Sequence, residues 1–156
     1  MLFRSTQSKL FRFDGIKHND ILDAKIGLRE MKIQCPEKII VGHLNINSIR
    51  NKFDALSFII DTNIDILLIS ETKLDDSFSS AQFRLKGFCT PYRLDRNSKG
   101  GGLLLYFRED IPSRLLNSGS TCNIETISVE INLRKRKWLL TCCGHIKVWF
   151  QVTSII

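Results

Sequence analysis

Residues 38–70 constrain the fold of this chain more than any other stretch. In residues 38–47, Ile39, Val41, His43, Asn45 and Asn47 fall on one face and Ile40, Leu44 and Ile46 on the other, the alternation of a strand. A helical stripe follows, with Ile49, Phe53, Leu56, Ile59 and Ile60 spaced 4, 7, 10 and 11 residues from its start. Lys52, Asp54 and Ser57 take the wet side, and Ser48 is placed as the N-cap. Residues 65–70 are then a short apolar run, the pattern of a central strand covered on both faces. Strand, helix and strand within about 35 residues form a βαβ unit, with parallel strands and a right-handed crossover. The two strands end at Asn45 and Glu71, on the carboxyl edge where open α/β sheets take ligands.

The flanking segments are less regular. Residues 1–36 form a poorly defined N-terminal extension, in which residues 20–31 carry a broken amphipathic pattern interrupted by Gly27. Residues 72–100 read as a long loop rich in turn residues, and loops of this length are uncommon unless functional. Residues 101–107 return to a strand. Residues 126–133 and 138–142 pair as an antiparallel hairpin around a turn at 134–137. Gly100-Gly101-Gly102 lacks the GxxxxGK[ST] pattern and precedes a strand, so it is a turn rather than a phosphate loop. The organisation expected is an extension at 1–36, a domain at 37–143 and a divergent tail at 144–156.

Composition narrows the class. A hydrophobic content of 43% supports a packed core and excludes global disorder. The net charge of +7 favours anionic partners, without selecting nucleic acid over another acidic surface. Five cysteines with no CxxC pair argue against a thiolate zinc site. Their odd number implies reduced thiols and a nuclear or cytoplasmic setting. Residues 1–13 carry no continuous apolar region, and no run approaches the ~20 residues of a membrane span. A protein neither secreted nor membrane-embedded is expected.

Four pieces of the chain stand in a telling order: His43-Leu44-Asn45-Ile46-Asn47-Ser48-Ile49-Arg50, residues 65–72, Asp95-Arg96 ahead of the three glycines, and residues 125–131. Together they resemble the endonuclease domain of non-long-terminal-repeat retrotransposons, within the endonuclease/exonuclease/phosphatase superfamily that also holds the apurinic/apyrimidinic endonucleases. The resemblance covers residues 37–143 and implies an α/β fold of the α+β sandwich type. The chain would supply the N-terminal part of that four-layer architecture. It further implies that Glu71 holds Mg2+ and that Asn45 orients the phosphate or a ligand water. Asn47 and Arg50 would lie near the substrate, and DNA would be the partner. Many relatives carry Gly at the position of Ser48. From spacing alone, Glu71 reads more readily as a solvent-facing carboxylate beside Lys73; the resemblance turns it into a metal ligand. Of the basic residues in the long loop, Arg93, Arg96 and Lys99 are phosphate candidates, with Arg96 taken as substrate-binding. The basic residues at 134–137 read as a solvated hairpin tip.

The resemblance stops after Cys143. The family continues with a Tyr- and Pro-bearing loop, a Gly-Asp-x-Asn motif and a Ser-Asp-His motif. This chain reads Gly144-His145-Ile146-Lys147-Val148-Trp149-Phe150, has no Asp or Glu after Glu130, and gives no reason to map His145 to the family's histidine. The expectation is a truncated endonuclease domain, inactive or nearly so, with an uncovered sheet that invites self-association. The alternatives are a non-catalytic nucleic-acid-binding fragment and the remnant of a phosphoesterase for small phosphate esters.

Overall fold

The computed structural model describes residues 8–11, 18–121, 124–144 and 150–155. In chain order they form β1 (Ser8–Phe11), α1 (His18–Gln34), β2 (Ile39–Asn45), α2 (Phe53–Ile60), β3 (Ile66–Ser70), a 3-10 helix (Ser80–Phe83), β4 (Tyr92–Leu94), β5 (Leu103–Phe107), β6 (Ser113–Thr121), β7 (Ile124–Leu133), β8 (Arg136–Cys143) and β9 (Phe150–Ile155). The strands make a six-stranded sheet, β1-β9-β2-β3-β5-β4, and a three-stranded sheet, β6-β7-β8. This is an α+β architecture. Among the described residues no helix is long and apolar enough to cross a membrane.

The βαβ unit forms as its pattern requires. β2 and β3 pair in parallel, from Val41 opposite Ile66 to Asn45 opposite Ser70. Every residue of β3 is buried because both faces of the sheet are covered. On one face Ile40, Leu44, Leu67 and Ile69 pack with Leu56, Ile59 and Ile60 of α2 and with Ala24, Leu28 and Met31 of α1. On the other, Ile66, Leu68, Leu103, Leu105 and Phe107 meet Ile127, Val129, Ile131 and Leu133 of β7. Each such side chain stabilises the fold by about 1.5–3 kcal/mol when fully buried.

Several local expectations change. The helix begins at Phe53 with Lys52 as N-cap residue, and Ser48 does not cap it. Ser48 instead adopts a left-handed conformation (φ 79°), and its amide donates to the Glu71 carbonyl at 2.8 Å. The broken pattern before Pro36 is a 17-residue helix, α1, in which Gly27 is buried. Burial of Leu28 and Met31 outweighs the roughly 1 kcal/mol that Gly costs a helix interior. The long loop contains the 3-10 helix and β4, which pairs with β5. The β7–β8 turn contracts to Arg134 and Lys135, both at positive φ, as a two-residue hairpin turn of the primed kind requires.

Both flanks contribute strands. β9 runs antiparallel to β1 on one side and to β2 on the other, so residues 150–155 share a sheet with the βαβ unit. Residues 145–149 of the tail, His145 included, lie outside the described residues, as do residues 1–7, 12–17, 122–123 and 156.

Candidate functional site

β2 and β3 end side by side, and the chain beyond each stays hydrogen-bonded to the other. The amides of Ile46, Ser48 and Ile49 donate to the carbonyls of Ser70, Glu71 and Thr72 at 3.0, 2.8 and 3.1 Å. On the opposite side, the amides of Thr72 and Lys73 donate to the carbonyls of Gly102 and Gly101 at 3.2 and 2.9 Å. The segment carrying Glu71 is therefore gripped from both flanks. It needs that support: Glu71 and Lys73 sit at φ 58° and 54°, as do Asn47 and Ser48 at 46° and 79° across from them. Left-handed backbone costs a non-glycine residue about 1–2 kcal/mol, and it persists only where the surroundings over-determine it.

The carboxylate of Glu71 is half-buried, and its Oε2 accepts from the Gly101 amide at 2.9 Å. Its other oxygen makes no hydrogen bond among the described residues. Gly101 and Gly102 stand at φ 76° and 89°. A Cβ on Gly102 would lie 2.3 Å from Thr72 Oγ1, and one on Gly101 would lie 2.5 Å from Glu125 Oε1. A side chain at either position would have to displace these atoms and hold a left-handed backbone. The glycine turn leads into a strand, as its sequence indicates, and in addition supplies amide donors to carboxylates.

Glu125 is the residue that sequence reasoning missed. It is 3% exposed; its Oε2 accepts from the Gly102 amide at 2.9 Å, and its carbonyl accepts from Gly144 at 2.8 Å. A signal was present. The inward alternation Ile131, Val129, Ile127 continues to Glu125, which places a carboxylate on the apolar face of β7.

The other candidates divide. Asn45 is half-buried opposite Ser70, on the face of β2 that carries Val41 and His43 toward the second sheet. Burial lowers the pKa of His43. Asn47 is exposed, and its carbonyl accepts from Lys52 Nζ at 3.1 Å. Arg50 donates to the Lys73 carbonyl at 3.0 Å and lies over the Phe78 ring at 4.6 Å, so it braces the chain leaving Glu71. Arg93 is fully engaged with Asp95 and the carbonyls of Phe78 and Asp75, which removes it as a phosphate ligand. Arg96 remains exposed, its Cδ close over Gly101, and Lys99 is exposed beside it. The segments bearing Asn45, Asn47, Arg50, Glu71 and Arg96 thus share one rim of the sandwich.

The donors on this rim are oxygens. Among the described residues no group of three His, Cys, Asp or Glu side chains gathers. However, Ser70 Oγ and Thr72 Oγ1, on the residues either side of Glu71, and Glu125 Oε1 are buried without a hydrogen-bond partner among the described residues. Hard oxygen donors with one accessible carboxylate fit Mg2+, which keeps several waters and uses few protein ligands.

Fold and rim together describe an α+β sandwich with an oxygen-rich edge at the ends of two parallel strands. Two solved structures are similar in shape. One is the 3′ phosphatase NExo from Neisseria bound to product DNA hairpin, at a TM-score of 0.43 and 17% identity. The other is the 3′-5′ exonuclease NExo from Neisseria meningitidis, at a TM-score of 0.44 and 17% identity. Each match covers 65% of this chain and spans 40% of the Neisseria chain. No protein-family model and no curated protein matches the chain.

Proposed function

We propose that this rim is the metal-holding side of a retrotransposon-type endonuclease domain, whose complete form nicks DNA by phosphodiester hydrolysis. The supporting observation is Glu71: a half-open carboxylate on a left-handed residue at the paired strand ends, oriented by the Gly101 amide, between two residues whose buried hydroxyls have no partner among the described residues. Glu71 would hold Mg2+, with Asn45 orienting the scissile phosphate or a ligand water through its amide. Bound there, the ion supplies polarisation of the phosphate and stabilises charge on the leaving oxygen. Arg96, exposed over the glycine turn, and Arg50 and Asn47 on the facing loop would meet substrate phosphates. In complete relatives the nick leaves a 3′ hydroxyl that primes reverse transcription.

The chain alone is proposed to be inactive or nearly so. Attack on the phosphate needs a base, and Glu71 cannot serve as one while it holds the ion. Supercoiled plasmid incubated with the chain and Mg2+ should stay intact. Nicking that Glu71→Ala abolishes would overturn the inactivity while upholding the site.

A second reading, a non-catalytic nucleic-acid-binding fragment, draws on the net charge of +7 and the exposed Arg96 and Lys99. It predicts salt-sensitive DNA binding that neither Mg2+ nor Glu71→Ala alters. The endonuclease reading predicts binding that Mg2+ strengthens and Glu71→Ala returns to the metal-free level. Competition by inositol phosphates in place of DNA would favour a phosphoesterase for small phosphate esters.

A further inference from the structure

We infer that Glu125 is the positioning residue for Glu71, acting through the Gly101–Gly102 pair; this rests on the reading of Glu71 as the ion's carboxylate. All four main-chain polar groups of the pair are engaged. Its carbonyls accept from Thr72 and Lys73, the two residues after Glu71. Its amides donate to two carboxylates, Gly101 to Glu71 at 2.9 Å and Gly102 to Glu125 at 2.9 Å. Glu125 belongs to β7 of the second sheet, whereas Glu71 follows β3 of the first. The glycine pair is therefore the joint between the sheets, and Glu125 fixes its far side.

The pocket is shaped around that carboxylate. A Cβ on Gly101 would lie 2.5 Å from Glu125 Oε1, and one on Gly144 would lie 2.7 Å from Oε2. Glycines on both sides leave room that no larger residue would. Burying a carboxylate on the face of β7 that carries Ile127 and Val129 is costly, and a single amide bond offsets only part of that cost. An apolar residue would serve stability better, so a local rule is broken at the point where the site requires it. Glu125 is itself too enclosed to bind substrate. With the pair held, Gly101 presents its amide to Glu71 and leaves the second oxygen of Glu71 to the ion. A group that hydrogen-bonds a metal ligand, as the Gly101 amide does Glu71, typically matters about 10- to 100-fold in metal affinity, and Glu125 acts through that group.

The test uses the full chain and four variants, Glu125→Gln, Glu125→Met, Glu125→Ala and Glu71→Ala, with two readouts: amide hydrogen exchange at Gly101 and Gly102 without metal, and Mn2+ affinity by electron paramagnetic resonance. Glu125→Met preserves volume and removes the acceptor; Glu125→Gln preserves the acceptor and removes the charge. The expected result for Met is faster exchange at Gly101 as well as Gly102, with Mn2+ binding about tenfold weaker. Gln should restore both. Glu125→Ala reads the same quantities if the Met side chain does not fit. Unchanged protection at Gly101 in the Met or Ala variant overturns the inference. So does a Gln variant that binds Mn2+ as weakly as Met while Gly101 stays protected, because charge rather than positioning would then be at work. If the wild-type chain binds no Mn2+, or Glu71→Ala binds it equally well, the assignment of Glu71 falls, and Gly101 exchange still decides whether Glu125 holds the joint.

Discussion

Lys32 donates to both carboxylate oxygens of Asp65, at 2.9 and 2.7 Å, fastening the last turn of α1 to the foot of β3. Asp65 is fully buried and also accepts from the Ile40 amide at 2.7 Å and from the Arg108 guanidinium. One carboxylate thus ties together a helix, two strands and the turn after β5. Removing it leaves Lys32 and the buried Ile40 amide without this acceptor, while Arg108 keeps Asp110. Asp65→Ala should lose about 3–5 kcal/mol of stability. Lys32→Ala should lose only about 1 kcal/mol, because Lys32 is partly exposed and Arg108 remains. Urea denaturation of both variants checks this; equal losses would contradict the ranking.

Ser48 carries a left-handed backbone that glycine adopts freely. Ser48→Gly should therefore stabilise the chain by about 1 kcal/mol, and Ser48→Val should destabilise it. Thermal melts of the pair would settle the sign.

Burial pushes the Cys142 thiol up to about 12, with its neighbour Cys143 adding to the effect. The folded value lies above the unfolded value of about 8.5. The thiol's contribution to stability is therefore complete below pH 8.5 and is lost as pH rises from there toward 12. Stability should decline over that window, and Cys142→Val should flatten the decline. At pH 8 a disulfide reagent should modify exposed Cys89 promptly and reach Cys142 only on unfolding. Early labelling of Cys142 would contradict its burial.

β8 forms one edge of the three-stranded sheet, and Leu139 on it is 68% exposed. An open edge beside an apolar side chain is a pairing hazard. Sedimentation velocity should show concentration-dependent association, weakened by Leu139→Lys. A wild-type chain that stays monomeric at high concentration would refute this.

The legible parts of the fold are those with strong local periodicity. The strands and stripe of the βαβ unit and the alternation of β7 are visible because one face of each is continuously apolar. β6 is not, since Ser113–Thr121 is largely polar and becomes a strand by pairing with β7. β1 and β9 depend on partners distant in the chain. Glu71 stands out as a candidate through the resemblance and not through its spacing, whereas Glu125 is hidden inside an apolar alternation. Arg93 and Arg96 look alike in one dimension; only the fold shows that the carbonyls of Asp75 and Phe78 claim the former. The Ser48 error has a similar origin, because a helix cap and a left-handed turn use the same small polar residue.

The seating of β9 between β1 and β2 also sets an order in time. Among the described residues β1 has β9 as its one strand neighbour, with Ser8 opposite Thr153. The strands from β2 to β5 all precede β6 in the chain and can assemble while synthesis continues. β1 cannot pair until β9 has been made, and through that interval β2 presents a bare flank. Chaperone contacts during translation should therefore concentrate on β1 and on the free side of β2, and fall away as Phe150–Ile155 emerges.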